Sequence, residues 1–505
     1  MSPLPDWLDP LYEADEMRAV DSWAIEERGV PSLDLMERAG AGLARATVRV
    51  AGAGPVRVVV GKGNNGGDGL VVARLLREEG REVDVLAVGE LEEMRGDAAA
   101  NLSRLKGPAP EPFSAEALEG SGVVVDAVLG TGFSGEVRDP AAGAIAAMNA
   151  QGSPVVACDV PSGIDASSGE VAGEAVRAST TASFHGPKVG LYVAPGALHT
   201  GEVEATDIGV PRGSPAPGAA GLISERVLDL FPRRGREGSK FSSGTVVVAG
   251  GARGLTGAPI MAALAAQRAG AGYVQVAVPA SAETAVALRL LEAMTRGLDD
   301  VDGHHAEGGV RALLELAERA GSVVLGPGLG RSDGAVAFAR EAARRIGVAL
   351  LIDADGLNAH AGTLEDLQER SAPTVLTPHE AELGRLLERD KEEVAAHRLA
   401  SAREASERSG CVVVLKGDDT LIATPGGPVA VSAGATPALA TAGTGDVLSG
   451  TIGALLAKGL GAFEAAALGT LAHARAGRAA AAVHGADHVM AGDVIECLPE
   501  GFGSV

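Results

Sequence analysis

The 505-residue chain is longer than one ordinary domain and carries a formal net charge of -23, which excludes nucleic acid and anionic membranes as main partners. Hydrophobic residues make up 46% but aromatics only 3%, so the cores must be built from Ala, Val, Leu and Ile, as in helices packed on parallel sheets. The acidic start has no apolar run, later apolar stretches are broken by charges, and Cys158, Cys411 and Cys497 lack paired or metal-ligand spacing, so a reducing cytoplasm is expected.

In chain order, 56–60 reads as a buried strand, followed by Gly61-Lys62-Gly63-Asn64-Asn65-Gly66-Gly67-Asp68-Gly69, a helix over 70–79 and a second strand over 83–88. Gly61, Gly63 and Gly66 match the dinucleotide fingerprint, and Glu90 lies near its acidic position. Asp68 at the helix start would repel a pyrophosphate, so Asn64, Asn65 and Asp68 suit hydroxyls, an amide or a cation better. A purely structural Asx-rich turn is the competing reading. Strands over 123–129 and 155–159 then bring Asp126, Asp159 and Ser162 to the same carboxyl edge as Asn65. An all-oxygen set without His or Cys favours a hard cation.

Two Pro/Gly-rich stretches, 212–218 and 232–239, bracket a domain join placed at residue 222. The first part, 1–222, holds 32 acidic against 17 basic residues, so the acidity is concentrated there. In the second part, 223–505, strands over 245–249, 274–278, 323–325, 350–352, 374–376 and 411–415 alternate with helical patterns. Their ends carry Gly250 to Ala258, Gly326-Pro327-Gly328, Asp353-Ala354-Asp355, Pro378-His379 and Lys416-Gly417-Asp418-Asp419-Thr420. Read alone, His379 is a satisfied core histidine. Gly443-Thr444-Gly445-Asp446 opens a helix with apolar Leu448, Ile452, Leu455 and Leu456 and a stop at Lys458-Gly459. Bare N–H groups there favour a phosphate, and Asp446 suits a base activating an alcohol; the plainer reading is an Asp N-cap behind a Gly-rich turn. Four of the seven lysines, Lys62, Lys188, Lys240 and Lys416, fall in these loops.

The segments Asn64 to Asp68, Asp126 to Gly132, Asp159 to Gly163 and His185-Gly186-Pro187-Lys188 resemble the NAD(P)H-hydrate epimerase domain, and the run from about Lys240 to Pro499 resembles the ADP-dependent NAD(P)H-hydrate dehydratase. The resemblance implies a Rossmann-like three-layer α/β domain over 1–222 and a ribokinase-like α/β domain over 223–505. It implies two activities, epimerisation of the R and S hydrates (NADHX and NADPHX) and dehydration of the S hydrate, with phosphate taken from ADP to leave AMP. Carried over by motif, the epimerase hydrate contacts are Asn64, Asn65, Gly66, Gly67, Asp68, Gly130, Thr131, Gly132, Phe133, Ser134, Gly135, Glu136 and Asp159. Potassium falls to Asn65, Asp126 and Ser162. Asp159 is the candidate base, with Lys188 and Lys62 as candidate polar partners.

In the dehydratase part the resemblance gives Ala258, Gly328, His379 and Asp446 to the hydrate and Lys416, Gly417, Asp418, Asp419, Thr420 and Gly445 to ADP, with Mg2+ accompanying ADP and Asp446 catalytic. A homo-oligomer is expected. Family members usually carry glycine where this chain has Ala442, and Asn-Pro where it has Thr436-Pro437. If that glycine has positive φ, Ala442 is strained by about 1 kcal/mol. Three alternatives stay open: a ribokinase-type small-molecule kinase fused to a non-catalytic Rossmann-like binding domain, an interaction scaffold, and a nicotinamide-dependent dehydrogenase built on Gly61, Gly63 and Gly66.

Overall fold

The computed structural model describes residues 4–52, 54–215, 217–234 and 243–503; Lys240 and the join residues 235–239 lie outside them. The chain forms two compact units, one over residues 10–220, the other running from Gly221 onward and including residues 5–9. Residues 5–9, counted with the first domain in the sequence reading, pack with the second unit: Trp7 lies 5.3 Å from the Phe463 ring, and its carbonyl accepts from Ser224 N–H.

The first unit holds a seven-stranded parallel sheet, β1 (Val56–Val60), β2 (Val83–Ala87), β3 (Glu111–Pro112), β4 (Val123–Ala127), β5 (Val155–Cys158), β6 (Thr180–Phe184) and β7 (Glu202–Thr206). Its spatial order is β3-β2-β1-β4-β5-β6-β7. The order reverses between β1 and β4, and such a switch point leaves a crevice outside the carboxyl ends of those two strands. The Val-rich strands are buried on both faces, because helices cover both sides. Helices α1 (Ala14–Ser22), α2 (Ser32–Val50) and α3 (Asn64–Glu78) frame the crevice.

The second unit repeats this order. Strands β8 (Thr245–Ala249), β9 (Tyr273–Pro279), β10 (Met294–Leu298), β11 (Ser322–Leu325), β12 (Ala349–Ile352), β13 (Thr374–Leu376) and β14 (Val412–Leu415) run parallel in the order β10-β9-β8-β11-β12-β13-β14. Antiparallel β15 (Thr420–Ala423) and β16 (Val429–Ser432) follow β14, and the short strands Ala220–Ile223 and Leu8–Leu11 complete that edge. Helices α4 (Gly257–Arg268), α5 (Glu380–Leu387), α6 (Thr444–Ala457) and α7 (Ala462–His484) present their N-termini or flanks to the loops after these strands.

At both switch points one glycine makes the crossing of loops feasible. A Cβ at Gly61 would lie 2.2 Å from Val128 O, and one at Gly250 would lie 2.2 Å from Pro327 O. Backbone meets backbone there, so no side chain can move aside.

Candidate active sites

In the first unit a cavity of about 1030 Å³ fills the crevice. Its walls come from α1 (Arg18, Asp21), from α2, from the β1–α3 junction (Lys62, Asn64, Asn65, Asp68), from the turn after β4 (Gly130 to Phe133) and from Asp159 and Lys188. Six carboxyl groups line it, those of Asp21, Asp68, Glu90, Glu93, Asp97 and Asp159, against the three cations Arg18, Lys62 and Lys188.

Asp159 follows β5 with φ 63, a left-handed backbone uncommon for a residue with a side chain. Its carboxylate accepts from Lys188 Nζ, from Thr131 Oγ1 and, at 2.9 Å, from Phe184 N–H. Lys188 is only 1% exposed and spends its other two hydrogens on Ser183 Oγ at 3.2 Å and Phe184 O at 2.8 Å. All three of its donors are used, so this ammonium is fixed as the partner of one carboxylate. Asp68 is buried without such a partner, and desolvation, with Asp159 and Asp21 nearby, pushes its carboxyl well above the ordinary range. Lys62, by contrast, is exposed and paired with Glu93, so it is no partner of Asp159.

Beneath the cavity lies an oxygen-rich cluster around Leu129. Asn65 Nδ2 donates to Leu129 O at 2.9 Å, and Ser162 Oγ accepts from Leu129 N–H at 2.8 Å while donating to Asp126 at 2.6 Å. Asp126 also accepts from Ser162 N–H at 2.8 Å, and complete burial raises its carboxyl to about 6. The Asp126 carboxylate, the Ser162 hydroxyl, the Leu129 carbonyl and the Asn65 amide, its nitrogen toward that carbonyl, are thus grouped within hydrogen-bonding reach.

The helix after β1 starts earlier than its sequence suggests. Asn64, Asn65, Gly66, Gly67 and Asp68 are helical, with Gly63 as N-cap, so Asp68 sits a full turn inside α3 and not at its exposed end. Its glycines allow close packing: a Cβ at Gly66 would lie 1.9 Å from Gly61 O and one at Gly67 2.9 Å from Met36 Sδ. Repulsion by Asp68 at the helix end therefore does not separate this loop from a dinucleotide fingerprint. What occupies the end instead is Asn64 and Asn65. Gly66 and Gly67 face the protein, and Ser134, Gly135 and Glu136 are exposed, so the cavity walls are formed by Gly130, Thr131, Gly132 and Phe133 of that turn.

In the second unit, Gly443 caps α6 with φ 94, and Thr444 Oγ1 fastens the turn to Leu439 O and Thr441 O at 2.7 and 2.8 Å. Gly445 and Asp446 are at the second and third helical positions. Asp446 is therefore not the N-cap of the plainer reading. Burial, helped by Asp353 and Glu382 and opposed by Lys416, raises its carboxyl to about 7. Lys416 Nζ reaches Asp353 at 3.0 Å and Glu382 at 3.6 Å; burial disfavours its charge, but these two carboxylates outweigh that and raise its pKa. A Cβ at Gly445 would come within 3.6 Å of the same Nζ, which places a cation against the bare N–H groups of α6.

His379 is no core histidine. It caps α5, its Nδ1 accepting from Ala381 and Glu382 N–H at 3.1 and 3.3 Å, while Glu382 accepts from His379 N–H at 2.9 Å. Burial lowers its pKa, and because Nδ1 accepts those two N–H bonds, the neutral ring carries its proton on Nε2. Gly328 (φ 64) lies against Ala258, Asp419 is buried in an ion pair with Arg398, and Gly417 and Asp418 are exposed. Ala442 is not among the residues with positive φ; that conformation falls on the next residue, Gly443. The expected strain is absent, so Ala442→Gly should leave both Tm and ADP affinity unchanged, checked by thermal unfolding with and without ADP. Asp353, Ser449 and Glu382 were not read from the sequence as site residues. Ser449 Oγ holds Asp353 at 2.7 Å, and the His-x-x-Glu spacing of a capping box could have found Glu382.

The comparisons with known proteins follow the same division. A family model described as YjeF-related protein N-terminus matches residues 32–190, and one described as NAD(P)H-hydrate dehydratase matches 246–500. The chain is 40% identical to a bifunctional NAD(P)H-hydrate repair enzyme of Salinibacter ruber, over 97% of this chain and 95% of that one. The chain belongs to the bifunctional NAD(P)H-hydrate repair enzyme family. A second member, from Moorella thermoacetica, is 38% identical over 97% of this chain and 96% of its own. A Bacillus subtilis ADP/ATP-dependent NAD(P)H-hydrate dehydratase, crystallised with ATP and Mg2+, aligns at TM-score 0.49 and 24% identity over 56% of this chain and 97% of its own. The repair-enzyme family models cover Asp159, Lys188 and the Leu129 cluster in the first unit and Lys416 and Asp446 in the second. Asp21 precedes both matched stretches.

Proposed function

We propose that this chain repairs hydrated nicotinamide nucleotides: its first unit epimerises the R and S hydrates of NADH and NADPH, and its second dehydrates the S hydrate at the expense of ADP. The observation that carries this reading is the pair of separate carboxylate-and-lysine centres, Asp159 with Lys188 and Asp446 with Lys416, in a chain related over its whole length to bifunctional repair enzymes. In the second unit, Asp446 takes the proton of the hydrate's hydroxyl as that oxygen attacks the terminal phosphorus of ADP. AMP leaves, and loss of the new phosphate with a ring proton restores the double bond. Lys416 and the N–H groups of α6 hold the phosphate charge; Glu382 and Asp446 would hold the Mg2+ that accompanies ADP, which would offset further phosphate charge. His379 Nε2–H, half-exposed and 3.6 Å from Glu382, donates to the hydrate. Incubating mixed hydrates with the protein, with and without ADP, tests the reading: full recovery of reduced nicotinamide absorbance requires ADP, and recovery of both epimers requires the first unit.

The Leu129 cluster fits a large monovalent cation. Ser162 Oγ, Leu129 O and, with its amide turned to present the oxygen, Asn65 are neutral ligands, and Asp126 is the single carboxylate, a weak field for a divalent ion; among the described residues no group of three or more His, Cys, Asp or Glu converges. Asn65, Asp126 and Ser162 would hold potassium there, which would neutralise Asp126 and fix the turn that carries Thr131 onto Asp159. Replacing potassium by lithium should therefore slow epimerisation and leave ADP-dependent dehydration unaffected; equal epimerisation rates in the two salts would remove the potassium assignment. No helix among the described residues is long and apolar enough to cross a membrane, and the three cysteines are unpaired.

A further inference from the structure

The cavity of the first unit contains an ionisable group that neither the family models nor the hydrate contacts account for. Asp21 lies in the last turn of α1 and lines the cavity from that wall, whereas Asp159 is offered from the end of β5 and Asp68 from within α3. Lys188, the buried cation of the site, has all three hydrogens committed to Asp159, Ser183 and Phe184, and so cannot pair with Asp21. Arg18, on the same helix, is paired with Asp15 at the surface. The groups facing Asp21 are thus one committed ammonium, Lys188, and two further carboxyls, Asp159 and Asp68. We propose that Asp21 is the second acid–base group of the epimerase centre, acting on the ring nitrogen of the hydrate while Asp159 acts on its hydroxyl. The assignment rests on the epimerase reading of this unit.

The substrate's hydroxyl stands on C6, bonded to N1, so C6 is a hemiaminal carbon whose configuration is lost when the ring opens. Asp159 takes the hydroxyl proton, the C6–O double bond forms, and the C6–N1 bond breaks with its electron pair going to N1. N1 needs a proton at that moment, and Asp21 in its neutral form supplies it. The aldehyde turns about the C5–C6 bond, N1 closes on its other face and returns its proton to Asp21, and the alkoxide recovers the proton held by Asp159. Every proton and electron pair is returned, and no other reactant is consumed. Two carboxyls in one cavity can divide these roles only if one is ionised and the other is not. Asp159, with a fixed ammonium, is the ionised one. Burial raises the Asp21 carboxyl, Lys188 pulls it down and Asp159 adds to the rise, so that it is kept toward its acid form.

The test uses the full chain and mixed hydrates of NADH. Epimer interconversion is followed chromatographically without ADP, and dehydration of the S hydrate with ADP serves as the folding control. Asp21→Asn should lower kcat for interconversion about 10²-fold or more, with KM nearly unchanged and dehydration intact; Asp21→Glu, which keeps the acid, should recover part of the rate. The wild-type interconversion rate should fall as pH rises through the ionisation of Asp21, and that limb should vanish in Asp21→Asn. An Asp21→Asn protein near wild-type rate, a loss confined to KM, or a wild-type profile with no falling limb that Asp21→Asn removes would each overturn the proposal. A wild-type chain that does not interconvert the epimers at all would instead remove the epimerase reading itself.

Discussion

Asp446→Asn is expected to abolish useful dehydration while leaving epimerisation untouched. The carboxylate sits in the first turn of α6, within the field of Lys416, where a base must accept the proton of the attacking hydroxyl. Removing a general base costs about 10²- to 10⁴-fold in rate. Asparagine keeps the shape, and the cap is unaffected because Gly443, not Asp446, provides it. The pH dependence has a definite sign. With its carboxyl at about 7, wild-type dehydration should rise with pH through neutrality as the base form appears, and the residual rate of the variant should lack that rise. Stability moves the other way. A carboxyl raised by folding binds its proton more tightly in the native state, so the stability it contributes is present below the unfolded value of about 3.9 and is lost as pH climbs through about 7. Asp446→Asn should therefore melt higher than wild type at neutral and alkaline pH. Near-wild-type dehydration by a folded variant would move the base elsewhere, with His379 next in line.

The second large effect is expected at Asp159. Asp159→Asn leaves Lys188, 1% exposed, as a buried ammonium without a counter-charge, and breaking a buried pair from one side typically costs about 3–5 kcal/mol. The same change removes the base proposed for epimerisation. Stability and chemistry can be separated with the double variant Asp159→Asn, Lys188→Met, which removes both charges: the melting temperature should recover, and the epimerase activity should not. If the double variant is as unstable as the single one, the pair is not what holds this part of the unit together.

The parallel strands were legible because they are buried on both faces: runs such as 245–249 and 374–376 are apolar and β-branched, and the observed strands Thr245–Ala249 and Thr374–Leu376 coincide with them. The start of α3 was not legible. Asn and Gly are poor helix formers, and the close approach that requires glycine at 66, against Gly61 O, is visible only in three dimensions. In the same way, Asp159 and Asp126 stood out at strand ends, whereas Asp21 lies on an acidic amphipathic helix where nothing in the spacing distinguishes it from its neighbours Asp15 and Glu16. The pairing of Lys188, and not Lys62, with Asp159 depended on β6, a strand that was not read from the sequence: it carries Ser183 and Phe184 to the far side of the ammonium.

The repeated strand order, with one crevice per sheet, has a consequence for supply and demand in the cell. Because both centres are translated as one polypeptide, every copy that makes the S epimer brings with it one copy that removes it, whatever the level of expression. The ratio of the two maximal capacities is then fixed by the turnover numbers of the two centres, and gene regulation can change the total capacity without changing that ratio.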